Sequence, residues 1–223
     1  MSASERAEPT LGWRAREVEE ELPELRLLSC EAQVLRGGSL TGESPPDIRA
    51  RLRALSNGFR GARAVGLRRE PVPAAYRVFF RQIGLDPDLT RTPIEAAVLE
   101  RMLRGGFPSD GLLEDILLIA MLDTAVPVWA LDGESVDGPL GIRQSGEGER
   151  LGGSEHAPQL RPGRLVIADA RSALAVLFGE LAPSARPRAA SRRLTLFAVT
   201  VAGVPGLYAD EALWSARAAL EQP

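Results

Sequence analysis

Asp115 interrupts an apolar run at 111–122, and Asp132, Arg143 and Asp169 each close a shorter apolar run further along the chain. An ionised side chain is costly in such surroundings unless it is paired and hydrogen-bonded, so each of the four needs a partner. That partner could be a reactant. Asp115 or Asp132 could hold a water against an ester carbonyl while backbone amides hold the oxyanion, a hydrolysis that needs no protein nucleophile. Trp129, Asp132 and Arg143 could form the wall and polar floor of a pocket for a small amino-acid-like ligand. The partner could equally be structural. Asp115 would then meet an arginine or cap a backbone group, Asp132 and Arg143 would pair across adjacent strands, Asp169 would make a turn, and Trp129 would belong to the core.

The remaining reactive inventory is small. One cysteine, Cys30, excludes an internal disulfide, and one histidine, His156, leaves too little for a Cys/His zinc site or a Ser-His-Asp triad. His156 lies in a glycine-rich loop and reads as a solvated side chain; Cys30 lies in a strand and reads as a small buried hydrophobe. No metal and no cofactor is expected.

All 27 basic residues are arginines. A GC-rich coding sequence produces such a bias, yet it has chemical consequences, because the planar guanidinium grips phosphate bidentately and stacks on bases. The net charge of −3 hides a segregation. Residues 47–104 carry twelve arginines and six acids, whereas 105–157 carry two arginines and ten acids. Between 49 and 81 there are nine arginines and one acid, Glu70. Arg49, Arg53, Arg60, Arg63, Arg77 and Arg81 are therefore candidates for a phosphate-contacting face, since neutralising phosphates releases counterions. A pair of solvated helices is the alternative. Tyr76 and Phe80 beside Arg77 and Arg81 add rings on which bases could stack. The acidic stretch 105–157 would repel a polyanion within a Debye length of about 8 Å.

Helices must position the arginines, and strands must position the later carboxylates. A short helix is expected over 13–21, strand character over 24–35, and a helix from Asp47 as N-cap, with Ile48, Leu52 and Leu55 at helical spacing, to Asn57-Gly58. A helix over 72–83 stops at Gly84. Thr92-Pro93-Ile94-Glu95 is a capping box with proline at the first helical position, so the next helix runs over 93–104 and ends at Gly105. A helix over 111–122 is apolar on nearly every side and must be buried. Beyond it, strand-like runs at 127–131, 140–143, 164–168, 173–178 and 194–201 are separated by turn residues, and a helix over 209–222 closes the chain. The loops 145–162 and 182–193 connect them. Helices followed by antiparallel-looking strands give an α+β class, a helical N-terminal half packed on a mainly antiparallel sheet.

At 223 residues, 44% hydrophobic and 26% charged, the chain has the composition of an ordinary globular protein. One domain is expected over about 10–222, preceded by a disordered N-terminus at 1–9. The longest apolar run falls short of the ~18 residues a membrane span needs, and the polar start lacks a secretory signal, so no membrane partner and a cytoplasmic location are expected. Oligomeric state is not legible.

The segments Pro127-Val-Trp-Ala-Leu-Asp132, Asp137-Gly-Pro-Leu-Gly-Ile-Arg143, Gly146-Glu-Gly-Glu-Arg-Leu151 and Leu165-Val-Ile-Ala-Asp169 with Ala173-Leu-Ala175 follow one another in a recognisable order. In that order they resemble the tRNA-binding and editing module, the third and fourth structural modules, of the bacterial phenylalanyl-tRNA synthetase beta chain. Upstream, Tyr76-Arg77, Gly84-Leu-Asp-Pro87 and the stretch 91–105 resemble free-standing relatives of that module, so the likeness covers about 74–180. It implies an α+β module that contacts tRNA and, in the synthetase, houses a pocket where a mischarged aminoacyl ester is hydrolysed. The synthetase's aminoacylation core is not part of that module. Three positions depart from the family pattern: Trp129 stands in place of a histidine, Leu118 in place of an asparagine, and a glycine pair after Ala175 is missing. The resemblance thus implies a tRNA- or RNA-associated binding module without aminoacylation of its own. The alternative is an aminoacyl-ester hydrolase or a small amino-acid-like ligand-binding protein.

Overall fold

The computed structural model describes residues 8–37 and 39–222. Residues 1–7, most of the expected disordered N-terminus, lie outside the described residues. The architecture is α+β. The chain begins with β1 (Thr10–Leu11), β2 (Trp13–Arg14), α1 (Arg16–Glu21) and β3 (Arg26–Gln33). Five helices follow: α2 (Pro46–Gly58), α3 (Ala62–Gly66), α4 (Pro71–Gln82), α5 (Pro93–Arg104) and α6 (Leu112–Thr124). Then come β4 (Val128–Asp132), β5 (Gly141–Gln144), β6 (Leu165–Ala168), β7 (Ala173–Val176), β8 (Arg193–Thr200) and α7 (Gly206–Glu221).

Local chemistry explains most boundaries. The Thr92 and Glu95 side chains form the reciprocal capping box of α5, Pro93 opens it, and Gly105 ends it at φ +78°, a left-handed conformation that glycine adopts without strain. At α2 the expectation needs correction. Pro45 is the capping residue and Asp47 lies in the first turn, where its carboxylate pairs with Arg36 instead. The expected helix over 13–21 also starts later, because Trp13 and Arg14 are taken into a sheet. Trp13 pairs in parallel with Gly141, and its indole N–H donates to the Pro139 carbonyl at 3.0 Å. A methyl group on Gly141 would fall 2.0 Å from the indole ring, so only glycine admits it.

The strands form two four-stranded sheets, ordered β1-β3-β8-β4 and β2-β5-β6-β7. Every pairing is antiparallel except β2 with β5. The N-terminal strand β3 runs beside the C-terminal strand β8 over its whole length, Arg26 opposite Thr200 through Gln33 opposite Arg193. Helices and strands are therefore less segregated along the chain than the sequence pattern implies. α7 packs along β3 and β8 with α6 beside it, and α2 packs on α6. α4 reaches the first sheet through the buried Tyr76 hydroxyl, which donates to the Val199 carbonyl at 2.7 Å. One continuous buried apolar cluster includes residues of both sheets and of α2, α4, α6 and α7. A second gathers Phe59, Leu67, Ile94, Val98, Met121 and Leu122 between the ends of α2, α5 and α6. No described helix is long and apolar enough to cross a membrane.

Candidate functional site

Asp115, near the start of α6, is 1% exposed. Its carboxylate accepts from the Ser44 hydroxyl at 2.6 Å, the Ser109 hydroxyl at 2.5 Å and the Asp110 N–H at 3.1 Å. Three donors engage it, none of them an arginine. They also tie the segment before α2 and the loop before α6 to one point.

Asp132, at the end of β4, is 2% exposed. It accepts from the Ser191 hydroxyl at 2.8 Å, the Glu134 N–H at 3.1 Å and the Arg188 guanidinium at 3.3 Å. Burial pushes its pKa up, but these hydrogen bonds outweigh burial and leave it below the usual carboxylate value. The expected pairing with Arg143 does not form. β4 and β5 belong to different sheets, although only the 133–140 connection separates them. Arg143 instead makes a two-pronged pair with Glu149, at 2.5 and 2.8 Å, within its own hairpin loop. That guanidinium, together with the Gly146 N–H, lowers the Glu149 pKa against the opposing effect of burial. Asp169 makes the turn expected of it, accepting from the Arg171 and Ser172 N–H groups at 2.8 and 2.9 Å.

Trp129 is also apart from these polar groups. It stacks on Phe197, its neighbour across the strands, at 5.5 Å and 12°, and meets Phe178 edge-on at 5.6 Å. Phe178 additionally touches Tyr76, Phe79 and Phe80 at 5.4–5.8 Å. Its φ of +55° is rare for a bulky residue, and the ring contacts offset the backbone cost. The predicted pocket of Trp129, Asp132 and Arg143 is thus dispersed into an aromatic cluster, a loop anchor and a hairpin ion pair. Among the described residues no three His, Cys, Asp or Glu side chains converge where a metal could sit. His156 is exposed, and burial pushes the Cys30 thiol up to about 11.

The arginines behave differently. Arg53, Arg60, Arg63 and Arg81 are exposed and have no acidic partner within ion-pair distance among the described residues. Arg60 meets the Asn57 side chain, and Arg63 lies 4.3 Å over the Phe59 ring. Arg49 is half-buried and paired with Glu43. Arg77 departs from the expected exposed face. It is 7% exposed and bridges Glu95 at 2.8 Å and Asp88 at 2.7 Å, joining α4 to the start of α5. One helical turn decides this: Arg77 shares a face with the buried Tyr76 and Phe80, and Arg81 lies just past it, where α4 ends. Arg68, Arg69 and Arg91, outside the six named candidates, are exposed and make no ion pair among the described residues. Their signal is the charge count of 47–104 itself.

No family model matches the chain. A stretch of 68 residues, 30% of the chain, is 41% identical to the phenylalanine–tRNA ligase beta subunit of Xanthomonas axonopodis pv. citri (strain 306). The same extent and identity hold for that of Xanthomonas campestris pv. campestris (strain 8004), and 40% identity for that of Xanthomonas euvesicatoria pv. vesicatoria (strain 85-10). The chain spans 8% of the length of these curated relatives. It shares partial homology with the ligase beta subunit.

Proposed function

We propose that this chain is a free-standing relative of the ligase beta subunit's tRNA-binding and editing module that binds tRNA or a similarly folded RNA, with no aminoacylation activity of its own. Residues 10–222 act in this reading as one folding unit. The observation that carries it is the set of exposed arginines on α2, α3, the 67–69 turn and the end of α4 that have no acidic partner. A guanidinium already paired with a carboxylate must break that pair to hold a phosphate, whereas Arg53 and Arg81 break no ion pair, Arg60 gives up only the Asn57 side chain and Arg63 only its place over the Phe59 ring. The partial homology supports tRNA as the RNA to test first. Arg77 serves this face indirectly, by joining α4 to α5, and Arg49 contributes only on leaving Glu43.

Filter binding of tRNA over a salt series is the direct test. Affinity should fall steeply with salt, and Arg53→Glu, Arg60→Glu and Arg63→Glu together should weaken all RNAs alike while reducing the slope by about one per lost phosphate contact. Salt-insensitive binding overturns the reading. Release of amino acid from mischarged tRNA above the spontaneous rate would instead place the chain among aminoacyl-ester hydrolases.

A further inference from the structure

A cavity of about 550 Å³ opens between the end of α1, the end of α4 and the β5–β6 hairpin, and none of the candidate site residues lines it. Leu22, Ile83, Leu85 and Leu165 supply its apolar lining, and Arg161 and Arg164 its positive charge. That volume lies within the range of small-molecule sites, which combine an apolar lining with a few placed polar groups.

The backbone that carries the two arginines is fixed. Arg161-Pro162-Gly163-Arg164 is a tight turn in which the Arg164 N–H points to the Arg161 carbonyl at 3.3 Å. Proline at the second position and glycine at the third, with φ +76°, are the residues such a turn requires. Ser145, 5% exposed, fixes the turn through four hydrogen bonds. Its N–H donates to the Arg164 carbonyl at 2.8 Å and its carbonyl accepts from the Gly163 N–H at 2.9 Å. Its hydroxyl donates to the Arg161 carbonyl at 2.7 Å and accepts from the Arg164 N–H at 3.1 Å. Neither guanidinium has a partner among the described residues. Glu21, the only acid among the described lining residues, is engaged by the Gln144 amide at 3.3 Å. A pair of unpartnered cations on a fixed turn, beside an apolar lining, selects one ligand chemistry.

We propose that this cavity binds a small amphipathic anion, with an apolar or aromatic body against the leucine and isoleucine side chains and a carboxylate, phosphate or sulfonate held by Arg161 and Arg164. This site is independent of the RNA face. The probe is 8-anilinonaphthalene-1-sulfonate, titrated by fluorescence against the intact chain and the double variant Arg161→Ala/Arg164→Ala. Both side chains are exposed and unpaired, so the variant should fold, and its circular dichroism and melting temperature verify that. The wild type should saturate at one site, and the double variant should bind about tenfold or more weakly. The neutral dye N-phenyl-1-naphthylamine should bind both proteins equally. In ¹H–¹⁵N spectra the anionic dye should shift the Gln82 and Gln144 side-chain amides, which line the cavity. Competition with decanoate and with phenyl phosphate distinguishes an acyl carboxylate from an aryl phosphate by which of them displaces the dye. Unsaturable binding, equal affinity in the double variant, shifts confined to other regions, or displacement by neither competitor would each overturn the proposal.

Discussion

Asp132 sits at the end of β4 with its carboxylate engaged by Ser191, the Glu134 N–H and Arg188, whereas Arg53 lies on the exposed flank of α2 with no partner among the described residues. The contrast extends to their surroundings. Asp115, Arg143 and Asp169 are each fully engaged within the chain, while Arg60, Arg63, Arg68, Arg69 and Arg81 form no ion pair among the described residues. The groups whose types and spacing most resemble a catalytic set are pins that hold loops. The groups that read as plain charge are the ones left available to another molecule. Availability follows from solvation: a buried ion persists only when fully paired, and an exposed one is satisfied by water and can exchange it for a phosphate.

Asp115→Ala tests the pinned side most severely. It removes three hydrogen bonds to the carboxylate and leaves the buried Ser44 hydroxyl without its acceptor, so urea unfolding should show a loss of about 3 kcal/mol. A loss below about 1 kcal/mol would mean that water replaces the carboxylate and that the site is open to ligands.

Arg77 and Arg81 carry the same contrast within one helix. Arg77→Ala should cost about 2 kcal/mol, because it removes the charge partner of the nearly buried Glu95 and leaves that carboxylate only its capping-box bonds, and Arg81→Ala should stay within about 0.5 kcal/mol. Equal costs for the two would remove the distinction between committed and free arginines. Tyr76→Phe removes the bond to Val199 and should cost about 1 kcal/mol. Burial holds the Tyr76 phenol far above its ordinary range, so its absorbance should change on alkaline titration only as the protein unfolds.

The smallest effect is the pH dependence of Ser191→Ala. Because the folded-state pKa of Asp132 is lowered, its stabilisation is complete above the unfolded value of about 3.9 and is lost as pH falls through the folded one. The variant lacks one of the bonds to the carboxylate. It should be less stable than wild type by about 1 kcal/mol at neutral pH, and the deficit should shrink on acidification below about pH 4. A deficit that persists unchanged at the lowest pH would mean that Ser191 acts through something other than the ionised carboxylate.

Elements with local chemical signatures were legible. The capping box at Thr92 and Glu95 placed α5, apolar residues all round placed α6 in the core, and alternation with turn residues placed the bounds of β4 to β8 to within two residues. β1 and β2 carry no comparable signal. At two residues each they exist only because β3 and β5 offer them backbone groups to bond. Phe178 is illegible for a related reason, since its left-handed backbone is stabilised by four rings brought from α4 and β4.

By itself the sequence determined the α+β class, the order of the longer elements and the excess of arginine over acid in 47–104, because helix caps, periodicity and net charge depend on residues near one another in the chain. Only the tertiary structure decided which ions are spent. It set β4 and β5 in different sheets and so separated Asp132 from Arg143, and it turned Arg77 inward and left Arg81 in solvent. The energy of a charge is fixed by the groups within a few ångströms of it, and for these residues such groups come from segments as distant in the chain as Ser44 is from Asp115.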